Sequence, residues 1–202
     1  MVDLKKAHVT KFTELTDPKW IRTRLVHYVD PLGTERDWEC CSRATRPKDM
    51  DCDGVAIIAI IETAEGPSIL LQKQFRAPTG KICIELPAGL IDPNETVEVC
   101  AERELQEETG YYGKAINTSA LIYNDPGFCD TNQRVIQVSI DMKDPRNQNP
   151  KPNLEENEFI ECFTTPLKSL PATLDKLAAE GYVLDARVAG IAQGISLMST
   201  YF

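Results

Sequence analysis

Between Glu85 and Gly110 the chain sets eight acids (Glu85, Asp92, Glu95, Glu98, Glu102, Glu104, Glu107 and Glu108) against one base, Arg103, and so concentrates seven of its nine net negative charges in one short stretch. The second half of this stretch reads as a helix, opened by Thr96 as a side-chain cap and stopped by Gly110 in a left-handed conformation. At about 100° per residue, Glu108 falls roughly 40° and Glu107 roughly 60° from Glu104, on the side that also carries Val97, Cys100, Ala101 and Leu105. Glu98, Glu102 and Gln106 already supply the far, polar face. Carboxylates turned toward a protein body repel one another and lose solvation unless a cation neutralises them, and Arg103 alone cannot balance three. The segment is therefore either a solvated Glu-rich helix with stray acids on its edge or a cation site. If it is the latter, hard oxygen donors select Mg²⁺, Mn²⁺ or Ca²⁺ over zinc or copper.

Two hundred and two residues suffice to bury roughly 70% of the unfolded surface, so folding needs neither a disulfide nor a structural metal. An apolar share of 42% and a charged share of 26% exclude collagen-like and disordered classes. Seven scattered cysteines without a CxxC pair fit reduced thiols in the cytoplasm or nucleus rather than a disulfide framework or a zinc site. The opening MVDLKKAHVTKF lacks the apolar core of a secretory signal, and the longest apolar run, Val55–Ile61, is too short to span a membrane. The acidic balance weighs against long nucleic acids and anionic membranes as partners. The two histidines, His8 and His27, lie outside every polar cluster, so histidine acid–base chemistry is not expected.

Periodicity predicts a hairpin over residues 20–42, turning at Asp30-Pro31-Leu32-Gly33, then strands at Gly54–Ile61, Ile69–Phe75 and Ile82–Leu86. After the acidic helix, strand patterns return at Ala115–Tyr123, Arg134–Met142 and Glu158–Phe163, the last two separated by a Pro- and Asn-rich loop. Helices are predicted at Ala172–Glu180 and Asp185–Met198. Strands and helices mix without regular βαβ alternation, so the class is α+β, with a mixed β-sheet sandwiched between helices.

Spacing then separates the two readings of the acidic helix. Gly89 is followed after five residues by Glu95, after seven more by Arg103-Glu104-Leu105, and then by Glu107-Glu108 and Gly110. Seven such positions at roughly 7% usage each coincide by chance on the order of 10⁻⁸ per start. The segment GLIDPNETVEVCAERELQEETGY, Gly89–Tyr111, resembles the Nudix box, departing from it at Tyr111, where the family has an aliphatic residue. The resemblance implies the Nudix fold and a loop–helix–loop that holds a divalent metal, Mg²⁺ with Mn²⁺ as a substitute, against a diphosphate. It makes Glu104 and Glu108 metal ligands together with the Ala88 carbonyl, places Glu107 close by, and has Arg103 orient the acids while Glu95 braces the loop.

Other stretches are similar to the ADP-sugar (ADP-ribose) pyrophosphatase branch of that family. They are KQFRAPTGKICIELPAGLID, TERDW at 34–38, DARV at 185–188, and Pro126 sixteen residues beyond Gly110. This resemblance implies an N-terminal β-subdomain (residues 1–50) that swaps in a homodimer, followed by the hydrolase domain (51–202). It implies adenine stacking by Trp20 and Trp38, phosphate contacts from Arg43 and Arg76, Glu158 as general base with Glu107 competing, and substrate-side or metal-adjacent roles for Asp125 and Glu85. The expected reaction is Mg²⁺-dependent hydrolysis of ADP-ribose and related nucleotide sugars to AMP and a sugar phosphate. A hydrolase of oxidised or other nucleoside diphosphates would use the same site. A non-catalytic ADP-ribose sensor is opposed by the intact acid set.

Overall fold

In the computed structural model residues 17–202 are described; His8 and the first part of the 1–50 segment lie outside them. The hairpin forms where the sequence predicts it, as β1 (Ile21–Val29) and β2 (Glu35–Arg43), in antiparallel register from Ile21 opposite Arg43 to Val29 opposite Glu35. Its turn is built by Asp30, whose Oδ1 accepts the Leu32 and Thr34 amides at 2.9 Å each, while Gly33 takes a φ of +82° that favours glycine. These two strands make a sheet of their own. Backbone hydrogen bonds tie β2 to the rest of the chain: the Cys41 amide donates to the Phe128 carbonyl and the Asp130 amide to the Cys41 carbonyl, at 3.2 Å each.

The larger sheet has nine strands. Its spine is β11 (Val183–Leu184), β5 (Lys81–Glu85), β4 (Gly66–Arg76), β3 (Gly54–Thr63), β9 (Asn132–Ile140) and β7 (Lys114–Thr118). Three strands attach to its sides: β6 (Ala88–Leu90) on β3, β8 (Ile122–Tyr123) on β9, and β10 (Ile160–Pro166) on β4. β3 runs parallel to β9 and β5 parallel to β11, while the other pairings are antiparallel, so the sheet is mixed.

β3 shows why this sheet sits inside the molecule. Val55, Ile57, Ala59 and Ile61 point to one face and pack with Cys100, Ala101 and Leu105 of α1 (Val97–Thr109). Ala56, Ile58 and Ile60 point to the other face, where Leu170 and Leu174 of α2 (Leu170–Ala179) and Val188 and Ala192 of α3 (Ala186–Tyr201) cover the sheet. A strand covered on both faces reads as an unbroken apolar run rather than an alternating one. The α+β sandwich expected from the sequence is thus the one observed. Among the described residues no helix is long and apolar enough to cross a membrane.

Several boundaries differ from the sequence reading. The strand expected over Ala115–Tyr123 is split into β7 and β8, with a register shift between Ala115 and Asn117 and with the Ser119 amide and hydroxyl bonded to Val135. The strand expected from Glu158 begins at Ile160, which leaves Glu158 on a loop. Helix α2 starts at Leu170, two residues early, because Pro171 suits a first helical turn. The three-residue β6 was missed, since Pro87 reads as a stop; the long neighbour β3 supplies its pairing.

Candidate active site

Helix α1 begins at Thr96, whose hydroxyl accepts the Val99 amide at 3.3 Å, and ends at Gly110 with a φ of +76°. A side chain at Gly110 would run into the Lys151 backbone, so both conformation and space demand glycine there. Between these ends Arg103 is the hub. Its guanidinium donates to both oxygens of Glu95 at 2.8 Å, to Glu104 at 2.8 Å, to Glu107 at 2.9 Å and to the Leu90 carbonyl at 3.2 Å. One cation thus ties the loop before the helix to the acids on it. Its hydrogen bonds to Glu95 first, and then those to Glu104 and Glu107 with the charge of Glu104, outweigh burial and hold Arg103 protonated far beyond its usual range.

Glu108 lies deeper, with 3% of its surface exposed. It accepts the Ala88 amide at 2.9 Å and the Gln72 amide at 3.4 Å. Burial pushes its carboxyl up to about 8, against the opposing Ala88 hydrogen bond and with the Glu104 and Glu158 charges adding to the rise. Burial also raises Glu104, with Arg103 opposing. The Glu104 carboxylate rests against the Cα of Gly89, in space that any Cβ at that position would take.

For an acid whose folded value lies above its ordinary 4.5, the linked stabilisation is complete below that value and is lost as pH rises through about 8. In metal-free protein, the melting temperature of the wild type should therefore fall relative to Glu108→Gln as pH rises across this window. Parallel curves would contradict the burial of a titrating Glu108.

A cleft of about 520 Å³ opens over these groups. It brings together Ala88, Arg103, Glu104, Glu107, Glu158, Arg43 and Arg76, contributed by β2, β4, β6, α1 and the loop before β10. Arg76 is aimed by Glu85, which takes two of its N–H groups at 2.8 and 2.6 Å. Glu85 itself is buried and absent from the cleft wall, with its carboxylate taken up by Arg76. Asp125 is also outside the cleft wall, with its backbone carbonyl closing the turn to Phe128 and Cys129.

The tryptophans are apart. Trp38 donates its indole N–H to the Gly127 carbonyl at 3.0 Å and lines a neighbouring apolar pocket of about 430 Å³ with Val26, Tyr28, Tyr123, Pro126 and Phe128. Trp38 stands opposite Val26, whereas Trp20 lies beside Ala44, beyond the Ile21–Arg43 end of the ladder, with the Lys19 ammonium 4.4 Å from its ring centre. The strand rise between those two levels separates them by roughly 20 Å, so one chain cannot place both on a single ring.

Several polar residues of the cleft were not singled out from the sequence, among them Asp53, Asn124, Asn132, Gln133 and Arg187. Arg187 sits inside the DARV segment, and that was the available signal; the others stand in stretches without a distinctive pattern.

The donor chemistry fits a hard divalent cation: Glu104 and Glu107 line the cleft beside Ala88 and Gly89, and Glu108, buried behind the cleft wall, reaches the Ala88 amide. Glu104 and Glu107 are turned onto Arg103, and Glu108 onto the Ala88 amide, so among the described residues the acids do not form a ready-closed cage.

A NUDIX domain profile matches residues 52–186. The chain is 46% identical to the ADP-ribose pyrophosphatase of Saccharomyces cerevisiae, over 98% of this chain and 87% of that one. It is 37% identical to the ADP-sugar pyrophosphatase of Mus musculus, over 94% and 86% of the two chains. Against the ADP-ribose pyrophosphatase of Bacillus subtilis, identity is 34% over 71% of each. With Gly89, Arg103, Glu104 and Glu107 in one cleft and more than half of its length matched by the profile, this chain belongs to the Nudix hydrolase family.

Proposed function

We propose that this protein hydrolyses the diphosphate bond of ADP-ribose and related ADP-sugars to AMP and a sugar phosphate, with Mg²⁺ as its ion and Mn²⁺ as a substitute. The observation that carries this reading is the pairing of α1 carboxylates with the guanidiniums of Arg43 and Arg76 in one cleft. Acids alone would repel a diphosphate, and arginines alone would bind it without cleaving it.

Glu104, Glu108 and the Ala88 carbonyl would hold the ion, with Glu107 close by. When bound, it screens the diphosphate and stabilises the departing phosphate oxygen. Arg43 and Arg76 hold phosphate oxygens, Arg76 with its fork fixed by Glu85. Glu158 takes the proton of the attacking water at its carboxylate. It is preferred over Glu107 because Glu107 already gives an oxygen to Arg103, whereas Glu158 accepts only the Glu155 amide, at 3.2 Å, among the described residues.

Trp38 stacks on the adenine, which makes an aromatic contact worth roughly 1–3 kcal/mol. Trp38→Ala should raise KM for ADP-ribose about 10-fold while changing kcat little, as loss of uniform binding does. An unchanged KM would return Trp38 to packing.

The second aromatic face comes from Trp20 of another copy. All of β1 is exposed, including Ile21, Leu25, Val26, Tyr28 and Val29, and a two-stranded ribbon is marginal on its own. These facts support a homodimer that exchanges its hairpins. Its substrate is a small nucleotide sugar, and seven scattered cysteines without a CxxC pair support a setting in the cytoplasm or nucleus. Incubation with ADP-ribose, ADP-glucose, GDP-mannose and 8-oxo-dGDP, with product identification by mass spectrometry, tests the substrate. Light scattering of the purified protein tests the dimer.

A further inference from the structure

Arg187 stands in the first turn of α3 and in the wall of the cleft. Asp185, the cap of that helix, takes the Arg187 Nε–H and one Nη2–H at 2.7 Å each, and also its backbone amide at 2.8 Å. The guanidinium Nη1 donates to the Gln133 side-chain oxygen at 2.6 Å. Burial works to raise the Asp185 carboxyl, and the Arg187 hydrogen bond and charge outweigh it, so the pair is ionised. Three side-chain bonds hold the guanidinium rigid and leave two of its five N–H groups without a role in this network.

Gln133 carries the second observation. It is 6% exposed, lines the same cleft, and with its oxygen given to Arg187 its amide nitrogen has no partner among the described residues. A buried amide donor left without an acceptor costs free energy. A largely buried ion pair adds little net stability over a well-packed apolar pair of the same volume. Stability therefore does not account for a charged pair and an unfilled donor at the cleft wall. A ligand oxygen does.

We propose that Arg187, aimed by Asp185 and backed by Gln133, is a third arginine of the substrate site and donates to a phosphate oxygen of the diphosphate. The proposal rests on the reading of the cleft as a nucleotide-sugar diphosphatase site. Its donors are all N–H groups with no acceptor among them, which suits a phosphate oxygen better than a sugar hydroxyl that must also donate. It makes Arg187 a substrate-binding group and Asp185 and Gln133 positioning residues.

The test compares wild type with Arg187→Gln, Arg187→Lys and Asp185→Asn. The last keeps a good helix cap while removing the charge that fixes the fork. Three readouts are taken: ADP-ribose turnover in Mg²⁺, calorimetric binding of inorganic pyrophosphate and of adenosine, and melting temperature. Loss of a charge-assisted hydrogen bond should raise KM for ADP-ribose and weaken pyrophosphate by about 10- to 100-fold in Arg187→Gln. Arg187→Lys should fall in the same direction, because an ammonium cannot reproduce the fork, and adenosine binding should be untouched. If Arg187→Gln does not fold, Arg187→Lys carries the same comparison. A lower melting temperature with unchanged KM and pyrophosphate affinity would make Arg187 structural and overturn the proposal, as would weakened ADP-ribose binding with pyrophosphate unaffected. Should wild type fail to turn over ADP-ribose, the diphosphatase reading fails, and the pyrophosphate measurement still decides whether Arg187 holds a phosphate oxygen.

Discussion

Glu108→Gln should fold normally and lose at least about 10²-fold in turnover. The substitution keeps shape and volume, so no cavity forms. Its amide oxygen can still accept the Ala88 N–H that Glu108 accepts at 2.9 Å. Burial, which already disfavours the charged form of Glu108, imposes no such penalty on a neutral amide. What disappears is the negative charge of the deepest of the three acids, the one a divalent ion gains most from meeting in a poorly solvated place. Stabilisation by Mg²⁺, read as the rise in melting temperature on adding the ion, should shrink with it, because ligand-linked stability follows affinity. Near-full turnover with an undiminished Mg²⁺ effect would remove Glu108 from the metal site.

Arg103→Gln is expected to act through stability first. Its guanidinium is the shared counter-charge of Glu95, Glu104 and Glu107, and it also holds the Leu90 carbonyl. Removing one partner from a buried ionic network costs about 3–5 kcal/mol. With the Arg103 side chain 26% exposed, the low end, about 3 kcal/mol, is the appropriate figure. For a chain of this length that is roughly 6–12 °C in melting temperature. Arg103→Lys should recover part of it, since an ammonium supplies the charge but cannot reach Glu95 and the two helix acids with one planar fork. Urea denaturation and melting of the two variants check the ordering. An Arg103→Gln protein that melts with the wild type would mean that the acids are solvated and the hub is ornamental.

The α1 region was the most legible part of the sequence because its signals are local. Cap, stop, apolar stripe and acid spacing all lie within one helix, and the structure places that helix at Val97–Thr109 with Thr96 and Gly110 at its ends. The β3 and β4 runs were legible for a similar reason, as uninterrupted apolar segments long enough to be strands on their own. What escaped depends on partners distant in sequence. Strand β6 is three residues long and exists through its pairing with β3. Glu85 reads as a free acid until the β4–β5 pairing brings the Arg76 side chain back onto it. Gln133 and Arg187 are 54 positions apart and meet only because α3 and β9 close on the same cleft. The hairpin forms as the sequence predicts, yet Trp38 stands opposite Val26 near the middle of the ladder while Trp20 lies just beyond its Ile21–Arg43 end. Spacing along a strand converts directly into distance, about 3.3 Å per residue, and that arithmetic rather than any packing detail forbids a single-chain clamp.

The most direct measurement is product analysis by mass spectrometry after incubating the purified protein with ADP-ribose, once with Mg²⁺ and once with EDTA. AMP and ribose 5-phosphate formed only with the metal are the predicted result. Tight binding of ADP-ribose with no cleavage in Mg²⁺ would contradict it and make the cleft a receptor for the nucleotide sugar rather than its hydrolase.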